Sequence, residues 1–88
     1  MDLHVTIRGR RWRLKSAKLL NDLGSCDPPE TRGKTIKISD AIEGCELLEV
    51  LIHELTHAAA FDLAESTVSE TARDIAAILW RLGYRREH

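Results

Sequence analysis

The stretch ELLEVLIHELTHAAAF, residues 46–61, has the apolar spacing of an amphipathic helix. At about 100° per residue, its apolar side chains fall on one stripe along the helix axis. The stripe consists of Leu47, Leu48, Leu51, Ile52, Leu55, Ala58 and Ala59. We therefore predict a helix over residues 46–61 that buries this face against the rest of the domain.

A second helical pattern follows on the C-terminal side. The connection 62–66 is short, and the pattern predicts a helix over residues 67–82 that Gly83 terminates. Its apolar stripe consists of Val68, Ala72, Ile75, Leu79 and Leu82. Two helices joined by so few residues are expected to pack against each other.

The N-terminal part alternates between apolar and polar residues, which is typical of strands. In residues 3–14 we predict a hairpin with a two-residue turn at Gly9-Arg10, which pairs Ile7 with Trp12. The same register pairs Val5 with Leu14. The four apolar side chains then share one face of the hairpin.

Residues 24–33 are predicted to be loop, because Pro28 and Pro29 both lack a backbone N–H. Residues 35–39 alternate again and predict a short strand, with Lys37 suited to a solvent-exposed edge. The expected fold is a small α+β domain with an N-terminal β-hairpin, an edge strand and two packed C-terminal helices.

Composition bounds the chain to one small globular domain, residues 1–88, with 43% hydrophobic and 31% charged residues. No apolar run approaches the roughly 20 residues of a membrane span, and no signal peptide is visible, so we expect a cytoplasmic protein without a membrane partner. Residues 1–39 contain nine Lys or Arg against four Asp or Glu. These charges alternate with apolar residues as on a solvated hairpin face, so nucleic acid is not expected as a partner.

The candidate metal-binding and catalytic residues lie on the first predicted helix, in His53-Glu54-Leu55-Thr56-His57. Histidines four residues apart project from the same helix face, so both imidazoles can bind one zinc ion. Glu54 lies beside them and can act as the general base for a metal-activated water. The alternative is a pair of surface histidines, which the flanking apolar residues Val50 and Phe61 make the weaker interpretation.

A catalytic zinc needs a third protein ligand. The metzincin arrangement is excluded, because Ala60 and Leu63 stand where its glycine and third histidine would be. Asp62 and Glu65 lie in the connection. A ligand at either position would require the first helix to end almost directly after His57. Glu70, one turn into the second helix, is therefore the favoured ligand.

The segment Glu70-Thr71-Ala72-Arg73-Asp74 resembles the Glu-x-x-x-Asp element of gluzincins, the thermolysin-like zinc peptidases. The resemblance covers about half of the chain and implies that Glu70 binds zinc and that Asp74 orients a ligating histidine. Residues 35–39 also resemble the edge strand along which zincins bind extended substrates. Only 12 residues separate His57 from Glu70, and the large lower subdomain is missing, so the likeness is to minimal gluzincins.

Alternative interpretations remain open for Glu70 and for Cys26. Thr67 and Glu70 also have the spacing of a capping box, in which Glu70 would only complete a helix N-terminus. Cys26 can be interpreted as an inhibitory thiolate near the metal or, more simply, as a structural thiol.

The function predicted from the sequence is a zinc-dependent endopeptidase that hydrolyses a peptide or protein substrate. One zinc per chain is held by His53, His57 and Glu70, with Glu54 as general base and Asp74 supporting a histidine. The alternatives are a non-catalytic zinc-binding regulatory or interaction module, and a binding protein that uses its basic face and whose histidine motif is accidental.

Overall fold

Four strands form one sheet, and two helices follow it in the chain. The computed structural model describes residues 1–86. Its elements are β1 (Asp2–Ile7), β2 (Arg10–Ala17), β3 (Gly24–Cys26), β4 (Thr35–Ser39), α1 (Gly44–Ala59) and α2 (Glu65–Arg81). The strand order is β1-β2-β4-β3, in which β2 and β4 are parallel and the other two pairs are antiparallel. The predicted α+β class, the hairpin and the two packed helices are confirmed.

The hairpin turn lies at Arg8-Gly9, so the predicted register was wrong by two residues. Ile7 pairs with Arg10 rather than with Trp12. Arg8 and Gly9 both have positive φ, 50° and 79°, which a tight two-residue hairpin turn requires. Because side chains alternate with a period of two, this shift leaves the inward-facing residues as predicted.

Strand β3 lies inside the segment that was predicted to be loop. Gly24 pairs with Ile38, and Cys26 with Ile36, before the chain reaches the prolines that cannot donate to a ladder. Residues 35–39 form a strand as predicted, but β4 is interior, between β2 and β3. The sheet edge on that side is therefore β3.

The hydrophobic core lies between the inner face of the sheet and α1. Its buried residues are Trp12, Leu14, Ile36, Ile38 and Ala58. Partly buried α1 residues, including Leu47, Val50 and Leu51, pack against them. Helix α2 packs mainly on α1 and buries Val68, Ala72 and Ala76. Helix α1 therefore lies between the sheet and α2.

Both helices begin two residues earlier than predicted, and α1 also ends two residues earlier, at Ala59. The connection is therefore residues 60–64, and Glu65 is the first residue of α2. No helix among residues 1–86 is long and apolar enough to cross a membrane.

Candidate metal centre

Helix α1 brings the two motif histidines together. His53 and His57 are one helical turn apart, and their Nε2 atoms are separated by 3.2 Å. The rings meet edge to face, with centroids 4.8 Å apart, and both side chains are mostly buried. The pair therefore presents two imidazole nitrogens to the same point in space.

Glu65 completes this cluster from the first residue of α2. Its Oε1 lies 2.9 Å from His53 Nε2, and its Oε2 lies 2.8 Å from His57 Nε2. The helix dipole favours a carboxylate at a helix N-terminus, which suits this position. Because α1 stops at Ala59, the five-residue connection returns the chain to the level of the histidines.

The geometry of the cluster fits a metal ion. Two imidazoles that bind zinc at about 2.0–2.1 Å in a tetrahedral site have their nitrogens about 3.3 Å apart, close to the 3.2 Å between His53 and His57. At these distances the lone pairs of neutral imidazole and carboxylate groups repel one another unless a cation or shared protons lie between them. Among residues 1–86, His53, His57 and Glu65 are the group of acidic, cysteine or histidine side chains that can hold a metal ion.

Glu54 is buried beside the histidines, with 8% of its surface exposed. Burial raises the pKa of its carboxyl because the charged form loses hydration, while the two histidines partly oppose the rise. The carboxylates of Glu65 and Asp22 add to the rise. A carboxylate in such surroundings has an increased affinity for a proton.

Gly24 in β3 allows the edge strand to approach this carboxylate closely. A Cβ atom at Gly24 would lie 2.9 Å from Glu54 Cγ, from Glu54 Oε2 and from Val50 Cγ1. Real Cβ atoms essentially never make contacts this short. Gly24 is therefore a residue of the site that the sequence did not reveal, because its importance comes from a contact with a helix 30 residues away.

The candidate metal ligands line an open cleft of about 420 Å³. Its wall consists of Cys26, His53, Glu54, His57, Phe61, Leu63 and Glu65. Burial, followed by the nearby Glu54 and Asp27 carboxylates, raises the pKa of the Cys26 thiol to about 12. Cys26 is thus a neutral thiol at physiological pH, outside the three-ligand group.

The structure leaves two residues of the predicted site, Glu70 and Asp74, outside the cluster. Glu70 is exposed on α2 and does not belong to the cluster, since five helical residues rotate it by about 140° from Glu65. Asp74 is exposed, and its carboxylate lies 3.9 Å from Arg73 rather than against a histidine. The capping box is absent as well, because Ala64 is the N-cap and Thr67 lies inside the helix.

Comparison of the chain with known protein families, with curated proteins and with solved structures gives no match in any of the three. Function is therefore inferred from the geometry of the cluster and of Glu54.

Proposed function

We propose that this protein is a zinc-dependent peptidase in which His53, His57 and Glu65 hold one zinc ion and Glu54 is the general base. The observation that carries the proposal is the convergence of three ligand atoms next to a buried carboxylate in an open cleft. Two imidazoles and one carboxylate are a common ligand set of catalytic zinc, which keeps a fourth position free. The proposal keeps the likeness to minimal gluzincins and replaces Glu70 by Glu65.

When bound, zinc would polarise the carbonyl of the scissile peptide bond and lower the pKa of a water molecule in the cleft. Glu54 would accept a proton from the attacking water and deliver it to the leaving amine. Glu54 is buried and lies close to β3 at Gly24, which restricts its side chain, so the carboxylate is oriented before substrate arrives.

The unpaired edge of β3 beside the cleft supports a peptide or protein substrate. Strand β3 pairs with β4 on one side only, so its other edge has free backbone groups next to the ligands. An extended peptide can add to such an edge through main-chain hydrogen bonds. Cys26 and Cys45 are both free thiols, which suits a reducing compartment, and we propose the cytoplasm.

The first test is the zinc content of the purified chain after dialysis, measured by mass spectrometry. The wild type should hold about one zinc per chain. Glu65→Gln should lower zinc affinity at least about tenfold, because it removes a charged ligand. Glu70→Gln is the matched control on the same helix and should bind zinc as the wild type does. Equal loss in the two variants would contradict the assignment of Glu65.

The second test separates binding from catalysis. Glu54→Gln should retain zinc and lose cleavage of a casein or peptide-library substrate by about a hundredfold or more, since the base is removed and the ligands are kept. Undiminished cleavage by this variant would overturn the role of Glu54. A zinc-loaded wild type that cleaves nothing would support the non-catalytic zinc module instead.

A further inference from the structure

The outer face of the sheet is not covered by either helix. In β2 and β4, the residues that alternate with the buried Trp12, Leu14, Ile36 and Ile38 point away from the core. Four of these outward residues are cationic, and they define what we call the basic face: Arg11, Arg13, Lys15 and Lys37. The fold therefore gathers on one side four cations that the sequence intersperses with core residues.

The strand register places cations of the basic face side by side. Lys15 and Lys37 are direct neighbours on the parallel strands β2 and β4. Like charges in this position repel each other and destabilise a sheet. Neither lysine forms an ion pair within 4.0 Å in the part of the chain that the structure describes.

Among the outward residues of β1 to β4, Asp2 is the one acidic residue. Asp2 accepts two hydrogen bonds from Arg13, at 2.7 Å and 3.0 Å. It stands opposite Lys15 in the register, but its carboxylate bonds to Arg13. Four cations and one anion leave a net charge of +3 on this face, whereas the chain as a whole has −1.

We propose that the basic face binds the phosphate backbone of double-stranded nucleic acid without sequence specificity. Along β2, Arg11, Arg13 and Lys15 follow one another at about 6.6–6.8 Å, and neighbouring strands are about 4.8 Å apart, so the cations form a flat array. Flat arrays of lysine and arginine neutralise phosphates and release their counterions. This replaces the expectation from the sequence, in which the same residues were only a solvated hairpin face.

Two features favour a nucleic-acid duplex as the ligand: the first disfavours an acidic protein, and the second disfavours a single strand. Apart from the small Ala17 at the end of β2, the other outward side chains of the four strands are polar, among them His4, Thr6, Ser25 and Thr35, so the face lacks the large apolar centre of a protein interface. It also carries no aromatic residue on which unpaired bases could stack, because Trp12 points into the core. Contacts to the backbone of a duplex remain, and these carry no sequence information.

The basic face is independent of the proposed metal centre. Helix α1, which carries the histidines, packs on the inner face of the sheet, while the cations lie on the outer face. A bound duplex would therefore leave the cleft free. Loss of zinc binding or of cleavage in the tests above would not affect this proposal.

The experiment measures binding of a fluorescein-labelled 30-base-pair DNA duplex by fluorescence anisotropy at 50 and 200 mM NaCl. The wild type should bind at 50 mM and weaken as salt rises. Arg11→Gln/Lys15→Gln/Lys37→Gln should weaken binding at least about tenfold and reduce the salt slope by about 2–3. These side chains lie on the surface, and circular dichroism checks that the variant is folded.

The matched control removes the same charge from the helical side. Arg73→Gln/Arg81→Gln/Arg86→Gln should bind the duplex within about twofold of the wild type, since these exposed residues lie outside the basic face. Equal weakening in the two triple variants would overturn the proposal, because net charge alone would then explain binding. A polyglutamate peptide that binds as well as the duplex, or no binding to the duplex at 50 mM, would overturn it too.

Discussion

The two sides of helix α1 differ in the size of the buried side chains that pack against them. The side that faces the sheet packs on large buried residues, of which Trp12, Ile36 and Ile38 have no exposed surface. The side that faces α2 meets only Val68, Ala72 and Ala76 as fully buried partners. Since hydrophobic stabilisation scales with buried apolar area, the sheet side contributes more to folding. The proposed metal centre lies at the weaker junction, between α1 and α2.

This difference suggests a structural role for the proposed metal. The histidines lie on α1 and Glu65 lies on α2, so an ion bound to all three links the two helices. Small buried residues let α2 approach α1 but provide little apolar area. We therefore expect the sheet–α1 side to determine whether the chain folds, and the metal to determine how firmly α2 is held.

The largest effect is expected on the sheet side. Trp12→Ala should lower the free energy of unfolding by about 3–5 kcal/mol, because it leaves a large cavity in the core. For a small domain this is much of the total stability. Trp12→Phe is the control: it keeps an aromatic ring and removes an indole N–H that has no hydrogen-bond partner in residues 1–86. Urea denaturation measures both, and equal losses would contradict the cavity argument.

Removal of the metal tests the other side of α1. At a free zinc concentration of 100 times the dissociation constant, binding stabilises the folded chain by about 2.7 kcal/mol. Chelation should lower Tm accordingly and accelerate hydrogen exchange in α2 more than in the sheet. Glu65→Gln should show a smaller response to chelation than Glu70→Gln does. A uniform change in exchange over both helices and the sheet would contradict a local link between α1 and α2.

The elements with a clear hydrophobic period were predictable from the sequence, whereas the end of α1 was not. Residues 58–61 (AAAF) contain no glycine or proline, so their helix propensity predicts that the helix continues through them. In the folded chain Arg8 donates to the Ala59 carbonyl, a contact between residues 51 positions apart. This early end is what places Glu65 rather than Glu70 beside the histidines, as the proposed third ligand. Strand β3 was missed because three residues are too few to show a period.

Gly24→Ala perturbs the contact between the edge strand and α1. The added Cβ would clash with Glu54 and Val50, and overpacking of this kind costs about 1–3 kcal/mol. Because the clash involves the proposed base, cleavage should fall further than the loss of stability explains. Ser25→Ala, at the exposed neighbouring position, is the control and should change little. Wild-type stability and activity in Gly24→Ala would show that β3 can move away without consequence.

The smallest effect is expected at the end of α1. Arg8 Nη1 donates a hydrogen bond of 2.9 Å to the Ala59 carbonyl, one of the carbonyls that a helix C-terminus leaves without an intrahelical partner. A cation in this position contributes about 0.3–1 kcal/mol, so Arg8→Gln should lower the free energy of unfolding by that amount. Arg10→Gln, at another exposed arginine of the hairpin, is the control and should change it less.

The useful measurement on Arg8→Gln is its zinc affinity together with its stability. If the contact of Arg8 fixes where α1 ends, its loss should loosen the connection 60–64 that positions Glu65. Zinc affinity should then fall about twofold to fivefold, a change of about 0.4–1 kcal/mol, in a chain that is still folded. If stability falls and zinc affinity does not, the connection holds Glu65 in place without help from the hairpin. In that case the early end of α1 would depend on the local turn in which Leu63 N–H donates to the Ala60 carbonyl.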